Sequence, residues 1–68
     1  MLSNEIFVFR AKKKWTQQQL ADYVGVSRQT IAAMEKNKYN PSLILAFKVA
    51  IALDNPVTDV FNYKEDNK

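Results

Sequence analysis

Residues 16–36, TQQQLADYVGVSRQTIAAMEK, decide how the chain folds. Thr16 followed three residues later by Gln19 is a capping box, in which side chain and backbone at a helix start satisfy one another, so a helix opens on QQQLADYV. Leu20, Ala21 and Val24 share its inner face. Gly25, the only glycine in the chain, then breaks the pattern and is the residue best able to take a positive φ at a helix end. After a tight turn Ser27 can cap RQTIAAMEK, in which Ile31, Met34 and Glu35 turn inward while Arg28, Gln29, Thr30 and Ala33 point elsewhere.

The spacing within this stretch is more specific than its periodicity. Counting from Gln17, the fifth position is small (Ala21) and the ninth is Gly25, while Leu20, Val24, Val26, Ile31 and Met34 supply apolar contacts between the two helices. A small fifth residue lets the second helix cross close to the first, and glycine reverses the chain without strain. Two short helices joined this way form a helix-turn-helix over about residues 17–36. An ordinary helical hairpin inside a bundle is the plainer reading of the same periodicity.

Outward from that unit, a first helix is expected from about Asn4 to Lys13, with Ser3 or Asn4 as cap and lysines in the last turn, where cations complement exposed carbonyls. Its opening run, Ile6 to Phe9, would also suit a strand. On the other side, Pro41 and Ser42 launch LILAFKVAIAL, which is apolar on nearly every side and belongs at the centre of a bundle or against a partner. Asn55 and Pro56 form a cap and first-turn pair for a short helix, VTDVF. The tail NYKEDNK can add a short strand before it frays. No repeat or linker divides the chain, so residues 1–68 read as one domain.

Composition narrows the function. With 68 residues, 47% of them apolar, one glycine and two prolines, the chain reads as an ordered globular domain whose own core gives little stability to spare. It has no cysteine and no histidine, which removes disulfides and the usual ligands of structural zinc or haem. No cofactor or metal site is expected. No apolar run approaches the roughly 18 residues that span a membrane, and no signal peptide is apparent, so a soluble cytoplasmic protein is expected. Enzymatic readings fare poorly, since there is no glycine-rich phosphate loop and Asp22, Glu35, Asp54 and Asp59 fall on different elements.

The net charge of +3 is unevenly placed. Residues 10–38 carry seven Lys and Arg against Asp22 and Glu35, a balance of +5, and the remainder is at −2. A basic half and an acidic half fit a face that binds a polyanion, although charge alone also fits a solvated lysine surface.

Residues 16–53, with their T-Q-x-x-L-A, G-V-S-R-Q-T-I and N-P-S-L elements, resemble the Cro/CI-type (XRE) helix-turn-helix regulators. The similarity runs over residues 4–61 and is nearest to the compact single-domain members. It implies an all-α, five-helix domain, with short N- and C-terminal strands pairing to complete it. It also implies a homodimer that binds double-stranded DNA in the major groove and represses a promoter.

The resemblance assigns residues as well. Gln17 matches a position that holds a phosphate and braces the recognition helix (about residues 28–36), while Ser27, Arg28, Gln29 and Thr30 match its reading edge. Arginine can bond guanine with two hydrogen bonds and glutamine can do so with adenine, which makes Arg28 and Gln29 the expected sequence readers. Ala33 matches a further base-facing position. Lys38 and Asn40 lie in a loop that follows the DNA backbone. Arg10 and Glu35 match a structural salt bridge joining the first and third helices.

For the dimer, the last helix and tail are expected to supply Val57, Val60, Phe61 and Tyr63. Regulators of this kind also serve as antitoxins, so a protein partner is an alternative reading, and no small-molecule ligand is evident. Three departures stand out. Lys14 takes a place usually held by glycine, Trp15 one usually held by Leu or Ile, and Asn37 with Lys38 replace the common N-G-K. Phe7, Ile44 and Ile51 stand where polar side chains are usual.

Overall fold

The computed structural model describes residues 2–65. In chain order these form β1 (Leu2–Asn4), α1 (Ile6–Lys13), α2 (Gln17–Val24), α3 (Arg28–Glu35), α4 (Leu43–Ala52), α5 (Val57–Val60) and β2 (Phe61–Tyr63). β1 and β2 pair antiparallel, with Leu2 opposite Tyr63 and Asn4 opposite Phe61. Five helices and a terminal strand pair are thus present. The last residues of the expected fraying tail, 66–68, lie outside the described residues.

The opening run Ile6–Phe9 is helical, because it is the start of α1 that reaches the core. Ile6 is completely buried and Phe9 packs against the core, whereas Phe7 is exposed. The helix begins later than the expected Asn4, since residues 2–4 are drawn into the sheet. Asn4 still serves its start, with its Oδ1 accepting from the Ile6 N–H at 3.0 Å.

The capping box at Thr16 is complete: Thr16 Oγ1 accepts from the Gln19 N–H at 3.0 Å, and Gln19 Oε1 accepts from the Thr16 N–H at 2.8 Å. Gly25 ends α2 with φ +82°. Lys14 ends α1 in the same left-handed region, at φ +61°, so the side chain that replaces glycine is accommodated with backbone strain. Asn37 turns the chain after α3 at φ +60°, a conformation that asparagine tolerates better than most residues.

At α5 the expected capping pair is shifted. Pro56 is itself the cap, in extended conformation, with its carbonyl accepting from the Asp59 and Val60 N–H groups. Asn55 instead donates from its side chain to the Leu53 carbonyl at 2.7 Å. The helix ends at Val60, and Phe61 begins the strand.

Every helix contributes to the core, α2 and α4 with three or more buried residues each. Ile6, Leu20, Ile31, Met34, Val49, Leu53 and Val60 are its fully enclosed large side chains. Val60, a residue expected at a dimer interface, is instead completely buried in the core of this chain, because α5 packs against α4. Nor is α4 a central helix. Ala46, Val49 and Ala50 face the core, while Leu43, Ile44, Phe47 and Ile51 face outward.

Candidate nucleic-acid interface

The interface begins with the N-terminus of α3. Ser27 caps it, its Oγ accepting from the Thr30 N–H at 3.1 Å and lying 3.0 Å from Thr30 Oγ1. That contact ties the Thr30 hydroxyl into the cap. Arg28 and Gln29 project from the first turn into solvent and make no described side-chain hydrogen bond within the fold. An arginine in the first turn opposes the helix dipole, so its placement costs stability unless an external anion or base edge answers it.

Neither α2 nor α3 has an acidic residue in its first turn. Neither helix start is thus countered by a carboxylate of its own first turn, an arrangement suited to phosphate oxygens.

One carboxylate positions this edge. Glu35, at the end of α3, accepts from Arg10 Nε at 2.8 Å, from Arg10 Nη2 at 3.2 Å and from Gln17 Nε2 at 3.0 Å. Arg10 Nη1 also donates to the Trp15 carbonyl at 2.9 Å. The Arg10 and Glu35 side chains retain only 12% and 9% of their exposure, so this forked pair is screened little by water. It joins α1, the loop before α2, and α3. Gln17 is half-buried and oriented by the same carboxylate, while an amide nitrogen with two hydrogens still has a second one to offer.

The loop after α3 is held by a residue that sequence reasoning treated only as a cap. Asn4 Nδ2 donates to the Met34 carbonyl at 2.7 Å and to Asn37 Oδ1 at 3.0 Å. It thus anchors the turn from which Lys38 and Asn40 extend, both exposed. An asparagine beside a helix start looks like local capping, and nothing near it in sequence points to Met34 or Asn37.

The remaining assigned residues are spread out. Ala33 and Thr30 are half-buried on α3, beside the exposed Arg28 and Gln29. Among the residues expected at the dimer interface, Tyr63 is exposed, and Val57 and Phe61 are half-buried against the core. Among the described residues no group of three or more His, Cys, Asp or Glu side chains is placed to hold a metal, and no helix is long and apolar enough to cross a membrane.

Comparison with known proteins adds an independent line. The helix-turn-helix family model matches residues 8–60. The chain is 48% identical over 65 residues to the uncharacterized HTH-type transcriptional regulator MJ0272 of Methanocaldococcus jannaschii, covering 96% of this chain and 98% of that one. A crystal structure of a protein from Bacteroides fragilis superposes with a TM-score of 0.82 at 37% identity, over 91% of this chain and all of the other (100%). SinR of Bacillus subtilis, a master regulator for biofilm formation solved in complex with DNA, gives a TM-score of 0.71 at 32% identity, covering 76% of this chain and 84% of that one.

Proposed function

Because the chain belongs to the Cro/CI-type (XRE) helix-turn-helix family, we propose that it represses transcription as a homodimer on a pseudo-palindromic operator, reading sequence through the major groove. The chain is a DNA-binding transcription regulator and not an enzyme. A cytoplasmic location, where a bacterial or archaeal chromosome lies, fits this reading.

The observation that carries the reading is the front of α3, where Arg28 and Gln29 stand free on a helix whose far end is locked by the Arg10–Glu35–Gln17 cluster. A helix held at its base presents its readers at a fixed angle. Arg28 then bonds a guanine and Gln29 an adenine, with the Thr30 methyl meeting a thymine methyl and Ala33 lying against an apolar base edge. Gln17, Lys38 and Asn40 hold phosphates and set the register. A dimer presents two such helices about 34 Å apart, one turn of duplex. Tyr63, with the outer edges of Val57 and Phe61, is the surface assigned to the subunit contact.

Footprinting on DNA upstream of the gene that encodes the chain locates the operator. Arg28→Ala and Gln29→Ala are each expected to weaken operator binding by about 1–3 kcal/mol, concentrated at particular base pairs, while sedimentation shows the association state unchanged. Wild-type affinity in both variants overturns the assignment of the reading edge.

A further inference from the structure

The outer side of α4 is apolar where a helix facing solvent is ordinarily polar. Ile44, Phe47 and Ile51 recur there at helical spacing with Lys48 among them, and Ile44 and Ile51 are 70% and 68% exposed. Beside this stripe a cleft of about 220 Å³ opens between α2 and α4, lined by Tyr23, Val24, Lys48 and Ile51.

The Tyr23 wall of the cleft is supported from behind. Its ring lies 5.5 Å from that of Trp15; Lys13 Nζ sits 4.9 Å from the Trp15 ring, and Lys13 in turn pairs with Asp54 at 2.7 Å. The polar groups offered at the cleft are the Tyr23 hydroxyl and the Lys48 ammonium. Among the described residues no carboxylate forms an ion pair with Lys48.

We propose that this face docks an acidic amphipathic helix of a second protein. The apolar stripe of that helix lies along Ile44, Phe47 and Ile51, one of its side chains enters the cleft, and a carboxylate beside it meets Lys48. Charge decides between this occupant and a second copy of the chain. A two-fold pairing of α4 with its mate that sets Ile44 of one copy opposite Ile51 of the other would bring the two Lys48 ammoniums near the axis, where they repel. An acidic partner removes that repulsion and satisfies the cation.

The test uses a synthetic peptide of about 14 residues with leucines at i, i+3, i+4 and i+7 and glutamates elsewhere, titrated into isotope-labelled full-length protein and followed by amide NMR. Shifts are expected around Tyr23, Val24, Phe47, Lys48 and Ile51. Lys48→Glu should weaken binding about fivefold to tenfold and turn the preference toward a peptide with lysine in place of glutamate. Arg28→Ala should leave peptide affinity unchanged. No shifts at millimolar peptide, equal binding of the two peptides by wild type, or shifts centred on Arg28 and Gln29 would each overturn the proposal. So would conversion of a peptide-free dimer to monomer by Ile51→Glu in sedimentation, which would assign the face to a second copy.

Discussion

Glu35 accepts three hydrogen bonds from two side chains on other elements, and this makes it the residue whose loss should be felt most widely. Glu35→Ala leaves the Arg10 guanidinium enclosed with no counter-charge. The expected cost is about 3–5 kcal/mol in urea unfolding, and the double variant Arg10→Met, Glu35→Leu should recover most of it, because two apolar side chains need no partner. A loss below about 1 kcal/mol in the single variant would mean that water reaches the pair and screens it. This pair was legible in sequence only through family resemblance. An arginine and a glutamate far apart along the chain carry no local sign of contact, and the same is true of Asn4 and the Met34 carbonyl that it clamps. By contrast, Arg28 and Gln29 could be placed on an exposed edge from helical periodicity alone, since their exposure follows from which residues beside them are buried.

At the scale of elements, local chemistry located the helices well wherever a cap was made by side chains near in sequence. Thr16, Ser27 and Ser42 each accept the backbone N–H three residues on, as their positions indicate. Thr16→Ala should therefore cost about 1 kcal/mol, read as a lower melting temperature, and Thr16→Ser should restore most of it. The boundaries that shifted are those governed by distant partners. Residues 2–4 look like the lead-in to a helix until residues 61–63 are there to pair with them, and strands of three residues are too short to show a period. Val60 illustrates the same limit: its position on a short helix near the end of the chain suggests a free surface, but α5 turns it into the core. The apolar character of α4 was plain in sequence. Which of its sides the fold would leave uncovered depended on where α2 and α5 pack.

For the whole molecule, the proposed complex is held largely by phosphate contacts from Gln17, Lys38, Asn40 and the open ends of α2 and α3, doubled by the two-fold axis. Lys38 is the cation among these residues and occurs twice in a dimer, so operator affinity should fall about tenfold between roughly 50 and 200 mM salt, measured by fluorescence anisotropy. A nearly flat salt dependence would contradict a backbone-anchored complex. The antiparallel pairing of Leu2 with Tyr63 has a different consequence, one of timing. Almost the entire described chain lies between these partners, so their meeting is a loop closure that gains little until the helices have already shortened the distance. The helices can collapse around Leu20, Ile31 and Val49 first and the ends zip afterwards. The turn that carries Lys38 and Asn40, clamped by Asn4 at the edge of that sheet, would then be among the last parts of the DNA-facing surface to become rigid.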